Sequence, residues 1–553
     1  MNRRFHRGPT RSLPVRGARR VVGACALGML LASACVTTQQ AEGQGPDPRA
    51  RLIPPPTPAN TPPVRVVTAL SANAPIVDLR LVFRVGSADD PAGREGLTAL
   101  AAHLMREATV EKDAAGLADA LFPMAAELDV QVDKDTTVFL GRVHRDHVAT
   151  FLPIFVDVVL RPRLDPADFA RLRDEARAAI GSTLRTGADE ALQREALEAA
   201  LYDPSVVLGA AAGPGATTGH PYRHTPTGTV QGLAAITLDD VRAHIGRVFT
   251  VDRAVLGVGG GASPEMLATL TAALQRLPST SPPRPTPSLP VRDEGPKLLV
   301  IEKPTGSTAI SVGFVLPELS RTHPDYAALK LAETWFGEHR NLIGHLFHSM
   351  REVRGLNYGD YAYVEHFVQE GWSTFESLNI PRRTQYFSLW IRPVQHDNKT
   401  FALRMAAWEL QKFAAGGIPD DDSFRRVQTF VSGYWRSKEQ EPMRRLGYVL
   451  DQELTGMPFD RAGLRERVAR LTRADVNAAL ARHLRAADLT YVVVTDKAAP
   501  LVEALLGRKA TPAKYASPMP DAVVREDAEI AVFDLGLAPE DVVVLPSSAL
   551  FER

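Results

Sequence analysis

A few side chains in this 553-residue sequence are placed where they could do chemistry together. His103 closes the run Gly96-Leu97-Thr98-Ala99-Leu100-Ala101-Ala102-His103. An imidazole can ligate a metal or carry a proton, but one imidazole is not a tetrahedral metal site. Taken alone, His103 therefore reads as a cavity-lining or solvated helix residue. His144 and His147 lie three apart, as do His345 and His348. Neither pair has a carboxylate spaced to complete a metal site, so both read as surface histidines. Arg351 and Tyr358 lie seven apart around Gly355-Leu356. A guanidinium and a phenol can both donate hydrogen bonds to a negatively charged oxygen without being consumed.

The elements that must position these residues are legible from periodicity. An apolar strand ends at Leu79, Leu81, Phe83 and Val85, followed by a Gly/Asp/Pro turn from Gly86 to Gly93 and then a helix. At 100° per residue, Leu97, Leu100, Ala101, Leu104 and Met105 form its buried stripe, and Ala99, Ala102, His103 and Arg106 fall on the opposite face. Further strands are expected at Val64 to Leu70, Ile76 to Val85 and Asp133 to Leu140. Helices are expected around Phe151 to Val159 and from Asp165-Pro166 through Leu184. Thr237-Leu238-Asp239-Asp240-Val241 followed by the strand Ala254 to Gly260 is matched by Thr472-Arg473-Ala474-Asp475-Val476 and the strand Tyr491 to Asp496. Both are helix-capping motifs, and the distances from helix to strand agree. Ile310 to Phe314, Pro324-Asp325 and the helix Ala327 to Phe336 likewise repeat the opening strand, turn and helix. The chain is an internal duplication, divided at the Pro-rich linker Ser279 to Pro287.

The strand, turn and helix ending at His103 resemble the insulinase-like (pitrilysin) zinc metallopeptidase family, whose helix carries His-x-x-Glu-His after a Gly-Leu pair. In that motif two imidazoles share a helix face, bind one zinc and flank a general base. The resemblance places the first His on Ala99, the Glu on Ala102 and the second His on His103. It places a third ligand, a Glu on a later helix, at Ala179, with Glu175 one turn away. A methyl group neither ligates zinc nor takes a proton, so the resemblance implies a degenerate zinc site and no cofactor bound by this chain. Arg351-x-x-x-Gly355-Leu356-x-Tyr358 matches the family's second-half motif, whose Arg and Tyr hold the substrate backbone and stabilise the tetrahedral intermediate. His220-Pro221-Tyr222-Arg223 sits in a loop that in the family borders the substrate chamber.

The fold class implied is α+β: two homologous half-shell domains, 64–277 and 297–506, joined by a linker at 278–296, with a tail at 507–553. One half of the site is stripped and the other intact. The family includes bacterial pairs in which one chain carries zinc and the other the Arg/Tyr pair. The resemblance therefore implies a partner subunit that encloses a peptide substrate and lends Arg351 and Tyr358 in trans to a zinc-bearing insulinase-family subunit. A non-catalytic structural or peptide-binding lipoprotein, and a metallopeptidase with an unorthodox metal site, remain the alternatives.

Composition bounds the rest. Formal net charge is zero, with 64 basic against 64 acidic residues, so no basic surface argues for nucleic acid. Arg3 to Arg20 form a basic region, Val21 to Ala34 an apolar one too short to span a bilayer, and Leu31-Ala32-Ser33-Ala34-Cys35 resembles a lipoprotein signal at 1–35 with Cys35 as the lipidated residue. Arg19-Arg20 hints at twin-arginine export. The other cysteine, Cys25, lies in the leader, so no intrachain disulfide is expected after processing. Residues 36–63 are rich in Pro, Gly, Gln and Thr and read as a tether. The expected location is the cell envelope, anchored by lipid, and Val36 in place of Asp favours the outer membrane facing the periplasm.

Overall fold

The computed structural model describes residues 62–203, 220–284 and 295–553, apart from 341 and 372. The expected leader, Cys35 and nearly all of the tether lie outside the described residues, as does part of the linker.

In the first half, strands β1 (Arg65–Leu70), β2 (Ile76–Phe83), β3 (Glu127–Val132), β4 (Thr137–His144) and β5 (Ala254–Gly260) form one sheet in the order β1-β5-β2-β4-β3. In the second half, β6 (Lys297–Glu302), β7 (Thr308–Leu316), β8 (Asp360–Tyr363), β9 (Gln385–Val394) and β10 (Thr490–Thr495) repeat that order as β6-β10-β7-β9-β8. In both, the outer pair is parallel (β1 with β5, β6 with β10) and the rest antiparallel. The duplication seen in the capping motifs is thus a duplication of topology. A further strand, β11 (Val542–Pro546), adds to the edge at β6.

The helices of the first half are α1 (Leu97–Glu107), α2 (Ala114–Leu121), α3 (Val148–Leu160), α4 (Pro166–Ala178), α5 (Asp189–Tyr202), α6 (Val230–Ala235), α7 (Leu238–Val248) and α8 (Pro264–Leu274). Those of the second are α9 (Tyr326–Gly337), α10 (Lys399–Gly416), α11 (Asp421–Lys438), α12 (Pro442–Thr455), α13 (Arg461–Arg470), α14 (Arg473–His483) and α15 (Ala499–Leu506), with α16 (Asp521–Ala531) in the tail. Both predicted capping boxes are present. Asp240 N donates to Thr237 Oγ1 at 3.1 Å and Thr237 N to Asp240 Oδ2 at 2.8 Å; the Thr472–Asp475 pair repeats this at 3.2 and 2.8 Å.

Alternation along β2 sends Val77, Leu79, Leu81 and Phe83 into the main core of the first half, where Phe83 packs edge-on against Phe249 with centroids 5.0 Å apart. The opposite sheet face is covered by the other half. Leu446 and Leu450 of α12 lie against Val82, Val138 and Val255. Reciprocally, Leu197 of α5 shares a core with Ala309, Val315, Val492 and Val494 of the second sheet. The close approach is permitted by glycine. A Cβ on Gly257 of β5 would stand 2.4 Å from Leu450, and one on Gly313 of β7 would stand 2.4 Å from the Phe387 carbonyl and 3.2 Å from Leu197. Each half contributes a helix to the other's sheet, so the halves share apolar cores instead of merely touching.

The structure corrects two expectations. The strand expected at Asp133 to Leu140 is β4, which starts at Thr137; Asp133 to Thr136 form the turn of a hairpin whose other strand, β3, was not anticipated. The polar/apolar alternation Glu127-Leu128-Asp129-Val130-Gln131-Val132 was its signal. Ala99 and Ala102, expected opposite the buried stripe, are buried, and so is Thr98. Helix α1 is wrapped by the sheet and by α3, α4 and α7, and a helix enclosed on several sides has no wide open face.

The tail runs from the second half back to the first. After α16 has packed on α10 and β11 on β6, Val230 N donates to the Phe551 carbonyl at 3.0 Å, and Gln231 N to Glu552 O at 2.9 Å.

Candidate functional site

The start of α1 is built by Asp90. Its carboxylate accepts from Gly96 N, Thr98 N and the Thr98 hydroxyl at 2.7, 2.7 and 2.6 Å. Gly96 has φ near +107°, and a Cβ there would strike the Thr227 carbonyl at 2.5 Å, so this turn requires glycine. Thr98 Oγ1 also meets His244 Nε2 of α7 at 2.9 Å, while Arg247 approaches His244 Nδ1 at 3.2 Å. Arginine can only donate, so Nδ1 accepts and Nε2 carries the proton. Burial lowers His244 to about 3, keeping the ring neutral, and raises Asp90 to about 7 against its hydrogen bonds. This is rigid helix-start architecture, and its groups are consumed by structure.

Further along α1, Ala99 is buried and Ala102 sits in the apolar core, while His103 is the exposed member of the set. Helix α4 packs against α1 and gives way at Ala179 to a π-helical segment, Ala179–Gly187. Ala179 is exposed, and Glu175 is engaged by Arg171 at 3.1 Å. Among the described residues, no cluster of three metal-ligand types includes His103 or Glu175. The residues present do not fit a zinc ion at this place: Ala99, Ala102 and Ala179 offer only methyl groups, and His103 alone is not a tetrahedral site.

In the second-half motif the structure brings Arg351 and Tyr358 together. Arg351 lies in the π-helical segment Phe347–Glu352, and Gly355, at φ +63°, turns the chain back so that Tyr358 stands beside it. Arg351 Nη1 donates to the Tyr358 carbonyl at 3.1 Å, and the guanidinium lies over the Phe347 and Tyr358 rings at 4.7 and 5.8 Å. Tyr358 is 75% exposed, so its phenol is free to meet another molecule. The turn is fixed from below: Asn357 Nδ2 donates to Asp360 Oδ1 at 2.6 Å and to the Arg392 carbonyl at 3.0 Å. Arg354 Nε donates to Asp527 of α16 at 2.8 Å and Nη1 to the Ser349 carbonyl at 3.0 Å. Burial raises Asp360 to about 8. Of the histidine pairs, His147 and His348 are exposed, but His345, expected at the surface, is half-buried, stacked on Trp335 at 4.9 Å and paired with the buried Glu409 at 2.8 Å; His348 meets Glu352 at 2.8 Å and His144 faces Asp146 at 3.4 Å.

The junction between the halves carries a buried ionic cluster that no sequence spacing indicated. Arg382 of the loop before β9 donates to both Asp133 oxygens at 2.8 Å and faces Glu198 of α5 at 2.6 Å. Lys134 stands 3.4 Å from Glu198, and His366 stands 3.7 Å from both acids. Arg383 and Arg284 both bind Asp135 at 2.9 Å. Burial would raise Asp133 and Glu198, but the Arg382 charge outweighs it. Asp133 sits well below the usual carboxylate range and Glu198 at about 2. Beside the cluster, His220, which the resemblance placed at a chamber wall, is buried and stacked on Tyr202 at 4.6 Å. The closely spaced charges Asp133-Lys134-Asp135 and Arg382-Arg383 were the faint signal. A cavity of about 340 Å³ lies along this junction, bounded by Arg84, Arg284, Arg383, Leu319 and Leu454.

Two α+β halves of one topology, sharing apolar cores across their junction and carrying an exposed Arg/Tyr turn in the second, define the class of fold. The comparisons with known proteins agree with this class. The family model described as Insulinase (Peptidase family M16) matches residues 65–207, and that described as Peptidase M16 inactive domain matches residues 235–383. The chain belongs to the insulinase-like peptidase family M16. An uncharacterized zinc protease of Mycobacterium leprae is 26% identical over 350 residues, covering 62% of this chain and 74% of that protein. One from Streptomyces coelicolor is 23% identical over 386 residues, covering 66% and 73%. Among solved structures, a peptidase M16 inactive domain from Pseudomonas fluorescens superposes with a TM-score of 0.66 at 21% identity over 78% of this chain and 95% of that one. A Helicobacter pylori protease superposes at 0.63 with 15% identity over 79% and 99%. At these identities the two structures establish the fold alone.

Proposed function

We propose that this chain is the zinc-less partner subunit of a two-chain M16 peptidase, enclosing a peptide and supplying Arg351 and Tyr358 to a site completed by a zinc-bearing homologue. The observation that carries the reading is the asymmetry of the two half-sites: Ala99, Ala102 and Ala179 replace the ligands and base, while Tyr358 stands exposed with Arg351 fixed beside it. The match to an inactive-domain model and the likeness to zinc proteases support it. In this reading the chain holds no catalytic metal. The Tyr358 hydroxyl donates to the carbonyl oxygen that gains negative charge, and the Arg351 guanidinium donates to the substrate backbone. Cys35 would tether the complex to the envelope by lipid, on the periplasmic face of the outer membrane.

The test is peptide hydrolysis by this chain reconstituted with a zinc-motif M16 homologue, with co-elution confirming assembly. Neither chain alone should cleave. Tyr358→Phe should lower kcat about 100- to 1000-fold, the usual cost of one oxyanion donor, without weakening assembly. Arg351→Ala should also raise KM, because it removes a charge-assisted contact. Wild-type rates from both variants would refute the catalytic role and leave a structural or peptide-binding lipoprotein.

A further inference from the structure

Among the described residues, one group of metal-ligating side chains lies close enough to share an ion, and it is remote in sequence from α1: His323, Asp325 and His483. His323 and Asp325 belong to the turn that opens α9. His483 is in the last turn of α14, 158 positions from Asp325, and α9 packs against α14. One ligand atom from each of the three lies within 4.8 Å of the other two. The two imidazoles meet edge to face with centroids 5.0 Å apart, and His483 Nε2 is 2.8 Å from Asp325 Oδ2. The Asp325 and His483 side chains are only 16% and 13% exposed, so packed helices, not a loose surface, hold them.

This arrangement differs from the other histidine–carboxylate contacts among the described residues. His345 with Glu409 and His348 with Glu352 are single pairs, and His366 stands between two acids, whereas here two imidazoles converge on one carboxylate. It also differs from the matching junction of the first half, where Asp90 is spent on the amides that open α1. Asp325 makes no such cap to α9. A tetrahedral ion bound at about 2.0–2.2 Å needs ligand atoms roughly 3.3–3.5 Å apart, within reach of small side-chain rotations from the observed spacing. Two groups compete for the ligands. Arg482 donates to Asp325 through Nε at 2.9 Å and Nη2 at 2.7 Å, but its arm is 56% exposed and can release into water. His323 Nδ1 accepts from Asp325 N at 3.1 Å, a contact exchanged or reoriented when the ring ligates.

We infer that His323, Asp325 and His483 form a binding site for one borderline divalent ion of the Zn²⁺ or Ni²⁺ kind, clamping the start of α9 to the end of α14. Two imidazoles and one carboxylate suit such ions and leave coordination positions for water; a hard ion such as Mg²⁺, which prefers oxygen ligands, is excluded. The site is independent of the proposed partnership, since it requires neither a second subunit nor a peptide.

The purified protein, stripped with EDTA and dialysed, is titrated with ZnCl₂, NiCl₂ and MgCl₂ by calorimetry, with the melting temperature read in parallel. Zn²⁺ and Ni²⁺ should bind one per chain and raise the melting temperature, and Mg²⁺ should do neither. His483→Gln and His323→Gln should each weaken binding by about 10-fold or more. Arg482→Gln, which frees the carboxylate, should tighten it by up to about 5-fold. His103→Ala should leave it unchanged. Absence of a saturable Zn²⁺ or Ni²⁺ site in the wild type, or unchanged affinity in both folded histidine variants, overturns the inference. So does equal binding of Mg²⁺.

Discussion

Replacing Arg382 with Met tests whether the junction between the halves is held by charge in the way its geometry requires. Arg382 is 1% exposed at its side chain and is the cation that touches both Asp133 and Glu198. Without it, Glu198 keeps Lys134 at 3.4 Å, but the Asp133 carboxylate keeps as its close ionic partner His366 at 3.7 Å, a ring held largely neutral at about 4 by burial and the Arg382 charge, with Lys134 acting on it from further away. Breaking a buried pair from one side costs about 3–5 kcal/mol, because a desolvated charge is left behind. That is the loss expected in urea unfolding at pH 7.5. The pH dependence separates this cause from lost packing. In the wild type, the depressed pKa values of Asp133 and Glu198 contribute stability that is present above about pH 4 and lost as pH falls towards 2. In the variant, the largest charge opposing burial at Asp133 is gone, leaving His366 and Lys134, so its pKa rises and proton uptake favours the folded state, and His366, freed of a neighbouring cation, protonates more readily. The deficit should therefore shrink by about 1–2 kcal/mol between pH 7.5 and pH 5. Adding Asp133→Asn should recover part of the loss at pH 7.5. A deficit below about 1 kcal/mol, or one equal at both pH values, would refute the assignment.

Gly257→Ala puts a methyl 2.4 Å from Leu450 and should cost about 1–3 kcal/mol in thermal unfolding; Leu450→Ala in the same chain should cost less than the two changes separately, and simple additivity would mean that α12 does not seat there. The isolated chain should cleave no peptide, and its metal content at neutral pH should be unaffected by His103→Ala; about one zinc per chain that disappears with this substitution would restore a catalytic metal to α1. Mass spectrometry of the mature N-terminus should find acylated Cys35, stable anchoring requiring more than one acyl chain; an unmodified terminus downstream of Cys35 would remove the lipid anchor.

The physics of short stretches is enough to read much of this chain. Apolar alternation identified β2 and β5, 3.6-residue periodicity identified α1, and the two Thr-x-x-Asp-Val capping boxes exposed the duplication, because each depends on neighbours a few residues away. The Arg351–Tyr358 turn was legible for the same reason, since a glycine at positive φ and seven residues build it locally. Other features required contacts that spacing does not encode. Ala102 is buried because α3, α4 and α7 close around α1, a crowding that one helix's periodicity cannot report. The acids of the Asp133–Thr136 turn can be buried because Arg382, Arg383 and Arg284, distant in sequence, pair with them. His323 and His483 meet because α9 and α14 pack, and α5 and α12 each complete the other half's sheet because Gly313 and Gly257 leave room for them. Local propensity and capping, both short-range in the chain, set the elements and the duplication. Burial and charge pairing act between residues separated by hundreds of positions, so only the folded chain decided which side chains are enclosed, which ions are paired and which groups remain free to meet another molecule.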